Sequence, residues 1–236
     1  MNTPNRMDLN TALIVGAGDG LSASLARLFT EADMKVGLAA RNIEKLNSLC
    51  DEIEAQVFQC DASELEDVQQ LFDEVDGRLG TPDVVVYNPS YRTRGPFVEL
   101  NPVDVEKALK VTAYGGFLVG QEAAKRMLAQ GQGAILFTGA SASIKGYPQS
   151  APFAMGKFAL RGLVQSMARE LAPQNIHVAH FVIDGAILPP GQTQPIDKPD
   201  SFLDPDAIAQ TYLHILQQHP STWTWEIELR PWVERF

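Results

Sequence analysis

Short apolar segments alternate with longer segments of helical period along nearly the whole chain, and this alternation limits the fold more than any other feature. Segments rich in Val, Ile and Leu predict strands, whereas apolar residues at three- and four-residue spacing predict amphipathic helices. The predicted strands are residues 11–15, 35–40, 56–59, 83–87, 134–138, 177–183 and 225–229. The predicted helices are residues 21–32, 43–53, 62–78, 102–129 and 154–171.

The order of these segments predicts right-handed crossover connections and therefore a parallel sheet with helices on both faces. Residues 84–86 and 135–137 are apolar without polar alternation, as expected for strands that are covered on both sides. We therefore predict an α/β fold, a doubly wound parallel sheet of six or seven strands. The sequence shows no internal repeat and no linker, so we expect residues 1–236 to form a single domain.

The chain carries an excess of acidic residues, with a formal net charge of −10. This charge argues against nucleic acid as a partner, although it permits a local basic pocket for one phosphate. No apolar segment is long enough to predict a membrane span, and the polar N-terminus does not resemble a secretion signal. Two cysteines, Cys50 and Cys60, predict neither a disulfide framework nor a metal site. We expect a soluble, cytoplasmic protein.

Residues 184–206 depart from the alternating pattern because they contain five prolines and two glycines. Long irregular segments of compact domains are typically binding loops or lids, and the alternative is a connection without function. Since this segment follows the sixth predicted strand, it would lie at the carboxyl edge of the sheet, where open α/β sheets bind ligands. We predict a substrate lid.

A glycine-rich turn with the sequence GAGDGLS, residues 16–22, joins the first predicted strand to the first predicted helix. Glycines permit a tight turn, and the free N–H groups at a helix N-terminus bind phosphates. Because the turn lies in the first strand–helix–strand unit, it predicts a dinucleotide site of the Rossmann type. The alternative is a structural turn without a ligand.

The end of the second predicted strand indicates which dinucleotide binds. Sites that prefer NAD place an acid there to bond the adenosine ribose, but this chain has Ala40 followed by Arg41. The Arg41 guanidinium offers two donors to a 2′-phosphate. We therefore predict NADP(H) as the cofactor, with NAD(H) less favoured. The alternative role of Arg41 is a surface ion pair with Glu44 or Glu31.

The spacing Gly-x-x-x-Gly-x-Ser resembles the turn of the short-chain dehydrogenase/reductase family, Gly-x-x-x-Gly-x-Gly, and the resemblance covers essentially the whole chain. Ser22 departs from it by replacing the third glycine. Asp61 matches the family aspartate that contacts the adenine amino group. Its alternative role is to cap the following helix, and one side chain can serve both roles. Asn88 matches an asparagine beside the cofactor. The resemblance implies a cofactor site formed by Gly16, Asp19, Gly20, Leu21, Arg41, Asp61, Ala62, Asn88, Lys157 and Ile187.

The same resemblance implies a catalytic set that this chain keeps only in part. The family uses a Tyr-x-x-x-Lys pair on one helix, an upstream serine, and an asparagine on the preceding long helix. Here Lys157 matches the lysine, whereas Phe153 stands at the tyrosine position and Thr112 at the asparagine position. Phenylalanine has no proton to donate, so the general acid of the family is missing.

The serine position also departs from the family pattern. It holds Ala140, and a one-residue shift would bring Ser141, or Ser143 in the same segment, into place. Tyr91 and Tyr147 are alternative hydroxyl donors, although packing of their rings is the simpler interpretation. The candidate catalytic residues are therefore Lys157, Ser141, Phe153 and Thr112.

Two functions of different class fit these residues. The first is an NADP-dependent oxidoreductase that acts on an unknown carbonyl or alcohol substrate with a nonstandard proton donor. The second is an NADP-binding sensor or structural subunit without turnover. The predicted pocket favours an apolar small molecule as the substrate. By resemblance, the long helices at 102–129 and 154–171 predict a homodimer or homotetramer.

Overall fold

The computed structural model describes residue 7 and residues 9–234 of the chain. Within this part, seven parallel strands form one sheet. The strands are β1 Thr11–Val15, β2 Lys35–Ala40, β3 Gln56–Gln59, β4 Val84–Tyr87, β5 Gly133–Thr138, β6 Ile176–Ile183 and β7 Glu226–Leu229. Their order across the sheet is β3-β2-β1-β4-β5-β6-β7, and every neighbouring pair is parallel. The predicted doubly wound α/β fold of the Rossmann type is confirmed.

Helices cover both faces of this sheet. They are α1 Leu21–Glu31, α2 Asn47–Ile53, α3 Leu65–Arg78, α4 Pro102–Leu109, α5 Gly115–Gln130, α6 Ala151–Leu171 and α7 Pro205–Leu216. Successive residues of β1 contribute to opposite cores: Ile14 packs in the core that contains residues of α1 and α7, and Leu13 in the core that contains residues of α3, α5 and α6. Both faces are therefore buried, which explains why the strands lack polar alternation.

The predicted long helix at 102–129 is interrupted. A π-helical turn, Lys110–Tyr114, separates α4 from α5. Asn101 begins α4 by accepting a hydrogen bond from the Val103 N–H, and Gly131 ends α5 in the left-handed conformation. Helix α7 has no counterpart among the predicted helices, although Asp204 caps it by accepting a hydrogen bond from the Asp206 N–H.

The strand order reverses between β1 and β4, and this reversal opens a crevice at the carboxyl ends of the two strands. The glycine-rich turn leaves β1 on one side of the crevice, and Asn88 follows β4 on the other. The Asn88 N–H donates a hydrogen bond of 3.0 Å to the Val15 carbonyl, so the two turns are held together. The helices of residues 9–234 are all too short or too polar to cross a membrane.

Candidate functional site

A cleft of about 550 Å³ lies at this crevice and brings together part of the predicted cofactor site. Five of the predicted residues line it: Gly16, Arg41, Asp61, Ala62 and Asn88. The remaining predicted cofactor residues, Asp19, Gly20, Leu21, Lys157 and Ile187, are not among its lining residues. Lys45 and Cys60 line the cleft without having been predicted.

The glycine-rich turn is shaped to hold a phosphate group. Gly16 has a φ of +80°, and a Cβ atom there would lie 2.7 Å from the Pro89 ring, so only glycine fits. At Gly20 an added Cβ would meet nothing within 4 Å. No side-chain hydrogen bond caps the first turn of α1, so backbone N–H groups at its start are left for another acceptor. The residues present therefore fit the pyrophosphate of a dinucleotide.

Ser22, which replaces the third glycine of the family turn, links the two sides of the crevice. Its hydroxyl donates to the Gly16 carbonyl at 3.3 Å and accepts a hydrogen bond from the Asn88 side-chain amide at 2.8 Å. The side chain is only 2% exposed, so the substitution fills a packed position rather than the cleft. Asn88 is thereby oriented by the turn that it faces.

Two cations stand at the adenosine end of the cleft. Arg41 is exposed, and its Nη1 lies 4.0 Å from Asp61 Oδ2. Within residues 9–234 it forms no ion pair with Glu44 or Glu31. The Lys45 Nζ lies 4.0 Å from the place that a Cβ on Gly18 would take. Lys45 follows Arg41 by four residues, and this spacing is the sequence signal that could have predicted Lys45 as a second cation of the cleft.

Asp61 binds within its own turn instead of capping α3. Its Oδ1 accepts hydrogen bonds from the Ser63 N–H at 3.0 Å and from the Ser63 hydroxyl at 2.7 Å, and α3 begins only at Leu65. The helix-cap alternative is therefore wrong. Burial alone would raise the pKa of Asp61, but the Ser63 hydrogen bonds and the charge of Arg41 lower it, so the side chain is a carboxylate that can accept a donor.

Lys157 is buried on α6 and points at the end of β5. Its Nζ donates a hydrogen bond of 2.7 Å to the Thr138 carbonyl. Burial lowers the pKa of Lys157 to about 7, and the positive charge of Arg92 acts in the same direction. The amine therefore gains and loses its proton near neutral pH, which is the range that general acid–base catalysis requires.

Phe153 is buried beside this lysine, with 5.9 Å between its ring centroid and the Lys157 Nζ. The guanidinium carbon of Arg92 lies 4.4 Å from the same centroid, in a cation–π contact. Phe153 and Lys157 are thus brought together as predicted. Arg92 was not predicted, and its only sequence signal is its position four residues after Asn88.

Thr112 lies in the π-helical turn, where its Oγ1 accepts a hydrogen bond of 3.4 Å from the Tyr91 N–H. A Cβ on Gly156 would lie 2.9 Å from the Thr112 Cβ, so the glycine lets α6 pass close to this turn. Thr112 is therefore held against the helix that carries Phe153 and Lys157.

The two candidate serines differ in where they lie. Ser141 begins the 3₁₀ turn Ser141–Ser143 after β5 and is partly exposed. Ser143 is fully buried: its hydroxyl accepts a hydrogen bond from the Ala140 N–H at 3.1 Å and lies 3.4 Å from His180 Nε2. The alternative that Ser143 shifts into the site is therefore contradicted, because its hydroxyl points into the core.

The family model for short chain dehydrogenases matches residues 10–193. This chain belongs to that family. A short-chain dehydrogenase/reductase of Armillaria gallica is 32% identical over 179 residues, which cover 72% of this chain and 68% of the relative. A solved short-chain dehydrogenase from Rhodopseudomonas palustris is 36% identical, with 94% of this chain and 99% of that chain covered and a TM-score of 0.83.

A solved metagenomic short-chain oxidoreductase in complex with NADP is 25% identical to this short-chain dehydrogenase. The match covers 95% of this chain and 98% of that chain, with a TM-score of 0.83. The family is one of oxidoreductases, and the matches to the solved structures cover more of this chain than residues 10–193. 

Tyr91 and Tyr147, the alternative hydroxyl donors of this short-chain dehydrogenase, differ in their surroundings. The Tyr91 hydroxyl donates to Asp104 Oδ1 at 3.1 Å, and the Lys107 Nζ lies 4.7 Å from its ring centroid. The hydrogen bond to Asp104 raises the pKa of Tyr91, which makes it a weaker acid. Tyr147 is 46% exposed, so the interpretation that its ring packs in the core is wrong.

The predicted lid leaves the sheet at the end of β6 and closes on itself. The Leu188 N–H donates to the Leu203 carbonyl and the Leu203 N–H to the Ala186 carbonyl, each at 2.8 Å, with Ile187 between them. Asp184, at the start of the segment, is buried and accepts a hydrogen bond of 2.8 Å from the Lys145 Nζ. The base of the segment is thereby fixed next to the carboxyl edge of the sheet.

Proposed function

We propose that this short-chain dehydrogenase binds NADP(H) in the crevice between β1 and β4 and interconverts a carbonyl compound and its alcohol. The observation that carries the proposal is the uncapped start of α1 beside two cations, Arg41 and Lys45, with no acid at Ala40. These cations suit a 2′-phosphate in addition to the pyrophosphate. The NADP complex of the metagenomic relative supports the same cofactor.

A nicotinamide bound in this crevice supplies the hydride for reduction of the carbonyl carbon. The alkoxide oxygen that results must take up a proton, and Phe153 has none to give. We propose that Lys157 donates it, directly or through one water, and then recovers a proton from solvent. The lowered pKa of Lys157, about 7, makes this transfer feasible at neutral pH. The partly exposed Ser141 would orient the carbonyl oxygen, whereas Thr112 is fully buried and accepts the Tyr91 N–H, so its role would be to position that backbone.

The Phe153→Tyr variant tests this proposal against a cofactor-binding subunit without turnover. We expect the wild type to oxidise NADPH with members of a carbonyl panel, and Phe153→Tyr to change kcat by less than about tenfold, because Lys157 already supplies the proton. Phe153→Leu is the matched control for disturbed packing. Wild type that binds NADPH but never oxidises it, together with activity created in Phe153→Tyr, would overturn the proposal in favour of the inactive subunit.

Binding of the cofactor is tested separately. We expect NADPH fluorescence to change on addition of the wild-type protein. No change with NADPH up to millimolar concentration would show that the crevice holds no dinucleotide.

We further propose that residues 184–206 form a substrate lid and that residues 1–236 act as a single domain in a homodimer or homotetramer. The lid is supported by its place at the carboxyl edge of the sheet, and the assembly by apolar side chains that α5 and α6 leave exposed, among them Phe117 and Phe158. The net charge of −10 supports a small molecule rather than nucleic acid as the partner.

A further inference from the structure

Arg92 is a cation without a counter-ion at the edge of the proposed active site. Its guanidinium lies over the Phe153 ring at 4.4 Å, and among the described residues it makes no hydrogen bond and no ion pair. A guanidinium stacked on an aromatic ring uses one face and keeps its N–H donors free at the edges. The side chain is exposed, so a ligand can reach these donors.

The surroundings of Arg92 add positive charge instead of neutralising it. Residues 88–96 contain Arg92 and Arg94 and no acid, in a chain whose net charge is −10. Burial and the charge of Arg94 lower the pKa of Arg92, and the charge of Arg92 contributes to the lowered pKa of Lys157. The Asp104 carboxylate accepts the hydroxyl of the adjacent Tyr91 and forms no ion pair with Arg92. Cations grouped without a counter-ion disfavour the folded state and are typical of functional sites.

We propose that Arg92 binds a carboxylate of the substrate, so that the enzyme acts on carbonyl or alcohol compounds that carry a carboxylate on an apolar body. This inference rests on the proposed function, because the ring that Arg92 covers, Phe153, borders the proposed proton donor. One guanidinium edge matches the two oxygens of one carboxylate. The guanidinium rests on the Phe153 ring, so the carboxylate would bind at the edge of an aromatic contact, and the expected apolar substrate gains a charged end.

Matched acids and esters test the proposal. The probes are benzoylformate and 4-benzoylbutyrate with their methyl esters, which hold the ketone and the aromatic ring constant. We expect wild type to favour the better acid over its ester by roughly 10- to 100-fold in kcat/KM with NADPH, and by a similar factor in Kd by calorimetry without cofactor. Arg92→Gln should remove this advantage from Kd, because only the acid loses a charged partner, whereas kcat of acid and ester can shift together because Arg92 also contributes to the lowered pKa of Lys157. Arg94→Gln, which loses the same charge two residues away, should stay within about threefold of wild type.

Several outcomes would overturn the assignment of Arg92. These are equal performance of acid and ester in wild type, no interaction with any of the four probes, or an acid-over-ester ratio in Kd that Arg92→Gln leaves unchanged. Turnover of the esters in these cases would leave the proposed function standing. Conversely, wild type that fails to bind NADPH refutes the proposed function, while calorimetry with the acids still decides the role of Arg92.

Discussion

Arg41 is the residue on which the proposed preference for NADP(H) depends. Its guanidinium is exposed at the adenosine end of the cleft, and its nearest carboxylate, on Asp61, is 4.0 Å away. An exposed pair at this distance contributes little to stability, so Arg41 is available to a ligand at small cost. Because Ala40 precedes it, no acid repels a 2′-phosphate there.

We expect Arg41→Gln to raise the Kd for NADPH by roughly 10- to 100-fold and to leave the Kd for NADH within about threefold, because only the 2′-phosphate loses its charged donor. Fluorescence titration with both cofactors measures the two constants. Arg27→Gln is the matched control, since Arg27 lies on α1 and pairs with Glu52. An equal loss of NADPH and NADH affinity in Arg41→Gln would contradict the prediction.

At the scale of elements, the π-helical turn and residues 184–206, the proposed lid, lie beside the carboxyl edge of the sheet. The π-helical turn carries Thr112 and lies where α6 passes at Gly156. A π-helical turn inserts a residue into an α-helix and often marks a functional site. The lid is held at its tip by the Gln194 side chain, which donates to the Phe202 carbonyl at 2.8 Å and accepts from the Phe202 N–H at 3.2 Å.

We expect Gln194→Ala to open the lid, because it removes both hydrogen bonds to Phe202. Amides of residues 195–201 should exchange hydrogen faster, and KM for the best carbonyl of the panel should rise by roughly 3- to 10-fold, the effect of about one net hydrogen bond. The Kd for NADPH should not change. Gln192→Ala is the control on the same segment, and an equal effect of both variants would remove the special role of Gln194.

At the scale of the whole molecule, buried basic groups make stability depend on pH. Burial lowers the pKa of Lys157 from 10.5 to about 7 and that of His180 from 6.5 to about 4, although Glu226 opposes the second shift. At any pH between the folded-state pKa and the ordinary pKa of either group, the unfolded chain binds more protons than the folded chain. The free energy of unfolding therefore falls as pH drops from 10.5 to about 7, and again from 6.5 to about 4.

The alkaline part of this dependence can be tested with Lys157→Met. Without cofactor, we expect wild type to gain roughly 1–2 kcal/mol of unfolding free energy between about pH 7 and pH 9. Lys157→Met should show a flat profile there and greater stability near pH 7, because no buried amine has to lose its proton. Denaturant unfolding measures the pH profile and the stability near pH 7 of each protein. Lys110→Met is the control, because Lys110 is exposed. A rise with pH that persists in Lys157→Met would show that another group titrates.

The proposed assembly is tested by mass. Tyr114 and Phe117 lie on one exposed side of α5 and the turn before it, and Met155 and Phe158 on one side of α6. We expect a dimeric or tetrameric mass by light scattering at micromolar concentration, and a shift towards monomer in Phe158→Glu, because a buried carboxylate disfavours the interface. A monomeric wild type would contradict this prediction.

The sequence by itself determined the sheet and the glycine-rich turn, because periodicity and glycine spacing are local properties. Its resemblance to the family implied that Phe153 stands at the tyrosine position. It did not predict the break at Lys110–Tyr114, the inward orientation of Ser143, or the contact between Arg92 and Phe153. These depend on which side chains meet when separate elements pack, and no local pattern records such meetings. Only the tertiary structure therefore decided that Arg92, a cation without a counter-ion among the described residues, lies over the ring of Phe153.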